Sequence, residues 1–299
     1  MNILMAFHHF PVSTGRYVAD GLRRQGHDVR TIGKPRGVDT GWGDRRCDPR
    51  YVHRCAGDYD MYWRDWRPDF ILVTDPYTDK AWRHKHYSDV PHYCYNTCNN
   101  VTNLVHPSYD HYFVAHYHAK AMPYREDGGY TWVPNAYDPV WHTPSKIPFE
   151  HRAYDVAFCG SLHTDRRMVM DACKSAGLSI KIAHGPIYQE YTEIYNNARF
   201  AVVTSTHGHS GASYRFFENA MQGCIVLSGP CEDRTLFDPQ PQGYLWFETP
   251  QHAAQLAMYY KQNSEEAKKL IRQSQAWAAP HTWDARGQMI VNWHKRQKQ

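Results

Sequence analysis

The sequence predicts an α/β protein of two open parallel sheets in tandem, and three observations lead there. At 299 residues the chain exceeds one ordinary core, so two domains are the natural division. Short uninterrupted apolar runs, the pattern of strands buried on both faces, alternate with stretches of helical spacing. The alternation lapses in a Pro- and Lys-containing stretch, residues 144–152, which reads as an interdomain linker, and then begins again.

In the first half, Asn2-Ile3-Leu4-Met5-Ala6-Phe7 reads as a buried strand, with Ser13 or Thr14 as N-cap of a helix through Arg24. Gly26-His27-Asp28 ends that helix and residues 29–32 begin a second strand, the opening of a parallel sheet. The first loop carries no G-x-G-x-x-G, so a nicotinamide cofactor is not indicated. Residues 33–57, rich in Gly, Arg and Asp, read as a long surface excursion. Further strands are expected at 69–74, 91–95 and 112–115, and the run at 132–136 closes the first half. The first three run into Asp75, Asn96-Thr97 and His116, polar groups just past a strand's carboxyl end, where open parallel sheets bind ligands.

In the second half, strands are expected at 154–158, 178–183, 200–204, 225–227 and 244–247, with helices at 165–176, 188–197, 252–261 and 265–278. A last helix follows Trp283. The expected division is 1–148, 149–278 and a C-terminal helix, 279–299, returning to the first domain. Two such sheets leave a cleft between them, the place where ligand chemistry is expected.

Composition narrows the functional classes. With 42% hydrophobic and 21% charged residues and a net charge of +4, the chain has an ordinary globular balance. A locally basic stretch, Arg23-Arg24, Lys34-Pro35-Arg36 and Arg45-Arg46, is interleaved with Asp28, Asp39, Asp44 and Asp48, unlike the clear basic stripe of a general nucleic-acid binder. Eight cysteines without CxxC spacing read as reduced thiols. Cys94 and Cys98 lack the second ligand pair that zinc needs. No apolar run has membrane-span length and no leader pattern opens the chain, so a cytoplasmic protein is expected.

One stretch carries more charge than packing requires. In Arg215-Phe216-Phe217-Glu218-Asn219-Ala220-Met221-Gln222-Gly223-Cys224-Ile225-Val226-Leu227, the apolar residues recur at helical spacing, Gly223 stops the helix and a buried strand follows. Arg215 and Glu218 in its first turn have no use in that packing. Either they pair at i,i+3 on a solvated face, or they face a ligand. The preceding loop, with Gly208, His209, Ser210 and Gly211, lets backbone approach an anion at the helix N-terminus. Arg215 could then fork onto phosphate, and Glu218 could accept from ribose hydroxyls. Tyr188, after the Gly185-Pro186 turn, could stack on a base or simply fill the core.

Several segments resemble one family. Tyr154-Asp155-Val156-Ala157-Phe158-Cys159-Gly160-Ser161 with Arg166-Arg167, the Arg215-to-Cys224 element, and His281-Thr282-Trp283-Asp284-Ala285-Arg286 resemble the nucleotide-sugar domain of GT-B glycosyltransferases. The CgeB-like, spore-maturation-type branch of the glycosyltransferase-4 group is the most similar. In the first half, Tyr109-Asp110-His111-Tyr112-Phe113 and Val133-Pro134-Asn135-Ala136-Tyr137-Asp138-Pro139 also resemble it.

The resemblance implies transfer of a sugar from a UDP- or GDP-linked donor to an unidentified acceptor, by a retaining route, without metal or other cofactor. Glu218 would hold the donor ribose, Gly160, Ser161 and Arg166 or Arg167 would approach the diphosphate, and Arg215 would lie beside it or support Glu218. An inverting route would need a base from His8, His9, Asp75 or His116. Where the family pattern has an acidic residue facing the sugar, this chain has Ser210 and Gly211. The Asp58-Tyr59-Asp60 spelling of a metal-binding DxD reads as chance. A hydroxylated base in DNA stays open as an acceptor, with the stretch from Arg23 to Arg67 as its track. A non-catalytic nucleotide-binding or surface-layer protein of the same fold is the alternative of another class.

Overall fold

The computed structural model describes residues 1–7, 12–33, 61–74, 83–97, 109–115, 130–204, 212–229 and 244–299. They form two compact units, Met1–Pro134 with Trp283–Gln299, and Asn135–Thr282.

The first unit holds a six-stranded sheet of β1 (Asn2–Ala6), β2 (Asp28–Ile32), β3 (Phe70–Thr74), β4 (His92–Asn96), β5 (His111–Val114) and β6 (Tyr130–Trp132), in the order β2-β1-β3-β4-β5-β6. Every neighbouring pair is parallel, and β3 and β4 are buried at every position, as strands covered on both faces must be. Helix α1 (Thr14–Arg24) follows β1, and the Ser13 hydroxyl accepts from the Arg16 N–H as its cap. Strand β6 ends at Trp132, and Tyr137 makes an isolated parallel bridge to Thr282 in the second unit.

The second unit holds β7 (Tyr154–Cys159), α2 (Thr164–Ser175), β8 (Ile180–Ala183), α3 (Gln189–Asn196), β9 (Ala198–Val203), α4 (Tyr214–Met221), β10 (Ile225–Ser228), β11 (Tyr244–Trp246), α5 (Pro250–Gln262) and α6 (Ser264–Ala278). Its five strands are all parallel, in the order β11-β10-β9-β7-β8. Phe158, Phe200, Val202, Ile225 and Leu227 share one core beneath α2 and α5. Burying each such side chain contributes about 1.5–3 kcal/mol.

The C-terminal helix α7 (Trp283–Arg296) belongs to the first unit. Arg24 binds both carboxylate oxygens of Asp284, Arg286 Nε donates to the Pro134 carbonyl at 2.8 Å, and Trp293 stacks on His111 at 3.9 Å. Trp283 is buried beside Tyr95. His281 stays in the second unit, against Phe217 and Trp277.

The stretch expected to be a linker is instead packed into the second unit. Phe149 is buried in its core, Ser145 Oγ donates to the Asn196 carbonyl at 2.8 Å, and the buried Arg152 donates to the carbonyls of Ala198 (2.8 Å) and Gly223 (2.6 Å). Pro and Lys imitate a linker composition here. The residues that decide the outcome are one Phe and one Arg that finds backbone acceptors.

No helix among the described residues is long and apolar enough to cross a membrane. Cys159, Cys173 and Cys224 are free and buried and Cys94 is buried, while Cys47, Cys55, Cys98 and Cys231 lie outside the described residues, as does the Asp58-Tyr59-Asp60 stretch.

Asp155, at the start of β7, is the ionic anchor of the second unit. Its carboxylate is 2% exposed and receives Arg199 (2.9 Å), Lys261 (2.8 Å) and the Ser179 N–H (2.8 Å). Burial raises its pKa, but the bonds from Lys261 and Ser179 outweigh burial and hold it below the ordinary carboxylate range. Such a lowered group stabilises the fold fully above the unfolded carboxylate pKa, and the contribution is lost as pH falls through the lower folded value. Asp155→Asn is expected to cost about 3 kcal/mol at neutral pH, and the difference from wild type should shrink under acid. Urea unfolding at pH 7 and pH 3 measures both.

Candidate functional site

Because all strands of the second unit are parallel, their carboxyl ends meet along one edge. There β7 runs through Gly160-Ser161 into α2, and β9 ends at Val203, just before Thr204. Neither His163 nor Ser213, the N-caps of α2 and α4, makes a side-chain capping bond. The helix starts thus have no side-chain cap from these residues, although the Phe216 N–H bonds the Ser213 carbonyl at 3.1 Å.

Two guanidinium groups converge beside this edge. The Arg166 head lies 5.0 Å from the centroid of the Phe158 ring and the Arg215 head 5.9 Å from it. Arg166 Nη1 donates to the Ser161 carbonyl at 2.9 Å, and Nε donates to Thr204 Oγ1 at 3.3 Å, so it ties the end of β7 to that of β9. Neither arginine makes an ion pair among the described residues, and the buried Arg215 Nε has no hydrogen-bond partner. Burial lowers the Arg166 pKa, and the neighbouring Arg215 lowers it further. For Arg215, burial acts in the same downward sense, but Tyr214, Tyr191, Tyr195 and Glu218 more than offset it and the net shift is upward.

Gly160 makes room for that arrangement. Its φ of +137° suits glycine, and a Cβ built there would stand 2.9 Å from Arg215 Nη2.

Glu218 faces the other way from a solvated pair. It is 4% exposed, accepts from the Tyr191 hydroxyl at 2.7 Å through Oε2, and sits 3.4 Å from His142 Nε2 through Oε1. The i,i+3 pairing of Arg215 with Glu218 does not form. Helix α4 reaches this position because its end is locked: Gly223 at φ +79° lets its own N–H bond the Ala220 carbonyl and the Cys224 N–H bond the Asn219 carbonyl. Arg152 and Gln275 close over Gly223, each 3.2 Å from where a Cβ would stand.

The remaining expected site residues divide. Arg167 is exposed, and its side chain makes no hydrogen bond or ion pair among the described residues; of the adjacent pair, only Arg166 joins the cluster. Ser161 is exposed and contributes its carbonyl to Arg166. Tyr188 is 2% exposed, with its ring against Trp141 at 4.5 Å, so of its two readings the structure has the core aromatic. Its φ of 48° is a strained start for α3, the helix that presents Tyr191. His8, His9, Asp75, His116, Gly208, His209, Ser210 and Gly211 lie outside the described residues. His142 and Tyr191 were not foreseen. A buried histidine in a chain with 20 of them leaves no spacing signal, although Tyr191 stands one helical turn before Tyr195.

Residues 163–292 match the family model described as glycosyl transferase-like. No curated protein matches the chain by sequence. Among solved structures, a sucrose-phosphate synthase from Thermosynechococcus elongatus is similar with a TM-score of 0.65 at 11% identity, over 99% of both chains. Anabaena HepE in complex with UDP-glucose gives 0.67 at 10% identity, over 98% of this chain and 99% of that one. An alpha-glucosyltransferase in complex with UDP and a 13-mer DNA containing an HMU base gives 0.64 at 11% identity, over 94% and 96%. The two parallel-sheet units thus have the fold of GT-B glycosyltransferases, and part of the second unit and the last helix carry the glycosyl transferase-like match.

Gly160→Ala tests the Gly160–Arg215 contact. It is expected to cost about 1–3 kcal/mol from backbone strain and displacement of the guanidinium. In an Arg215→Ala background the displacement vanishes, and the cost in urea unfolding should fall. Equal costs in both backgrounds would show that the two residues are not coupled.

Proposed function

We propose that this protein is a glycosyltransferase that takes its sugar from a nucleotide diphosphate sugar, with the diphosphate at Arg166 and Arg215 and the ribose at Glu218. The observation that carries the reading is the pair of guanidinium groups converging on Phe158 without an acidic partner among the described residues. Fixed cations without counter-charge suit a ligand that brings its own negative charge. Breaking the sugar–phosphate bond leaves a diphosphate whose charge grows in the transition state, and preorganised guanidinium groups stabilise it there. That role needs no metal and no organic cofactor.

UDP is the favoured nucleotide, because HepE and the alpha-glucosyltransferase named above are described with UDP or UDP-glucose. A retaining, front-face route is favoured since it needs no general base. The Arg215-to-Cys224 element supports the CgeB-like branch, and the free, buried cysteines support a cytoplasmic setting.

The acceptor is better taken as other than DNA. Among the described residues of the basic stretch, Arg23 is tied to Asp20, Arg24 to Asp284 and Arg67 to Asp89, which leaves these cations already partnered.

Purified protein offered UDP-, GDP- and TDP-sugars should give a thermal shift and released nucleotide with one donor. Glu218→Ala should weaken donor binding, and Arg166→Ala should depress turnover by about 10²-fold, more than it weakens affinity. If neither substitution changed binding or turnover, the donor site would lie elsewhere. Salt-dependent affinity for duplex DNA would restore the DNA acceptor.

A further inference from the structure

We infer that His142 and Tyr191 are positioning residues that hold the Glu218 carboxylate as an acceptor for hydroxyl groups, so that the site selects ribonucleotide donors over 2′-deoxyribonucleotide ones. The inference rests on the donor reading above and adds two residues and a discrimination to it.

Each carboxylate oxygen is met by a different element. Oε2 accepts from Tyr191 of α3 at 2.7 Å, and Oε1 faces His142, from the segment before β7, at 3.4 Å. The His142 ring is itself held by the Asp138 backbone, whose N–H and carbonyl both lie 3.1 Å from Nδ1. A proton on Nε2 lets the ring donate toward the Glu218 carboxylate, and the Asp138 N–H can then donate to a bare Nδ1. The rings of His142 and Tyr191 also meet edge-on, with centroids 5.9 Å apart and planes at 82°. Burial, and then the charge of Glu218, raise the Tyr191 pKa well above its ordinary value, so it remains a donor.

Tyr191 takes one lone pair of Oε2, and His142 faces Oε1. The lone pairs left over accept only from further O–H or N–H groups. A ribose offers two adjacent hydroxyls to such a carboxylate, whereas a 2′-deoxyribose leaves one acceptor position buried and unmet, the costlier outcome. With the carboxylate fixed from both sides, it cannot turn to recover that loss.

The test compares UDP with 2′-deoxy-UDP by calorimetric titration on wild type, Tyr191→Phe and His142→Gln, with thermal melts as the folding control. Wild type is expected to bind UDP about 10-fold more tightly than 2′-deoxy-UDP. Each variant should lower that ratio to about 2-fold, chiefly by weakening UDP, a change that loss of stability alone would not produce. If both variants kept the wild-type ratio, His142 and Tyr191 would not position Glu218. If wild type bound both nucleotides equally, ribose selection would fall while the donor reading stood. Wild type binding neither would remove the donor reading itself. Should one variant fail to fold, the other and the wild-type ratio still decide.

Discussion

A carboxylate 4% exposed must be met by donors, and much of the second unit is arranged to bring them to Glu218. Its helix is aimed by the glycine lock at Gly223, where Arg152 pins the same carbonyl that leads into β10. Tyr191 arrives on α3, which starts from the strained Tyr188. His142 arrives on a segment fastened by its own backbone bond to Asp138 and, three residues on, by Ser145 to the Gln222 carbonyl. Three separate pieces of chain converge on one side chain, and the sheet edge supplies their common frame.

The opposite charge is handled in the opposite way. Arg166 spends its hydrogen bonds on neutral carbonyl and hydroxyl oxygens, and Arg215 lies against aromatic rings, so neither forms an ion pair with an acid among the described residues. Two such cations repel each other and are partly desolvated, the sense in which the Arg166 pKa is displaced. An arrangement that costs free energy when empty gains it back on binding an anion. The buried Asp155 shows the contrast, since its carboxylate is fully matched by Arg199, Lys261 and Ser179 and serves only the fold.

Much of the fold was legible because buried parallel strands write themselves as apolar runs, and α1, α2, α5 and α6 carry helical spacing. The failures have particular causes. Residues 144–152 looked like a linker since neither the burial of Phe149 nor the carbonyl partners of Arg152 leaves a local pattern. At the site, Arg215, Glu218 and Gly160 could be singled out from one helix turn and one resemblance. His142 and Tyr191 could not, since their role depends on tertiary neighbours 76 and 27 positions away in the chain.

The spacing of Arg215 and Glu218 gains a different meaning once they are known not to pair. Three residues along a helix separate two side chains by a rise of about 4.5 Å on nearly the same face. With Oε2 bonded by Tyr191 and Oε1 facing His142, the carboxylate is held on the side away from an ion pair with Arg215. On the proposed reading, the first turn of α4 then offers a cation and an anion in succession, matching a nucleotide that presents phosphate and ribose in succession. The i,i+3 spacing that ordinarily makes a surface ion pair here keeps two opposite charges apart, each held for a different part of one ligand.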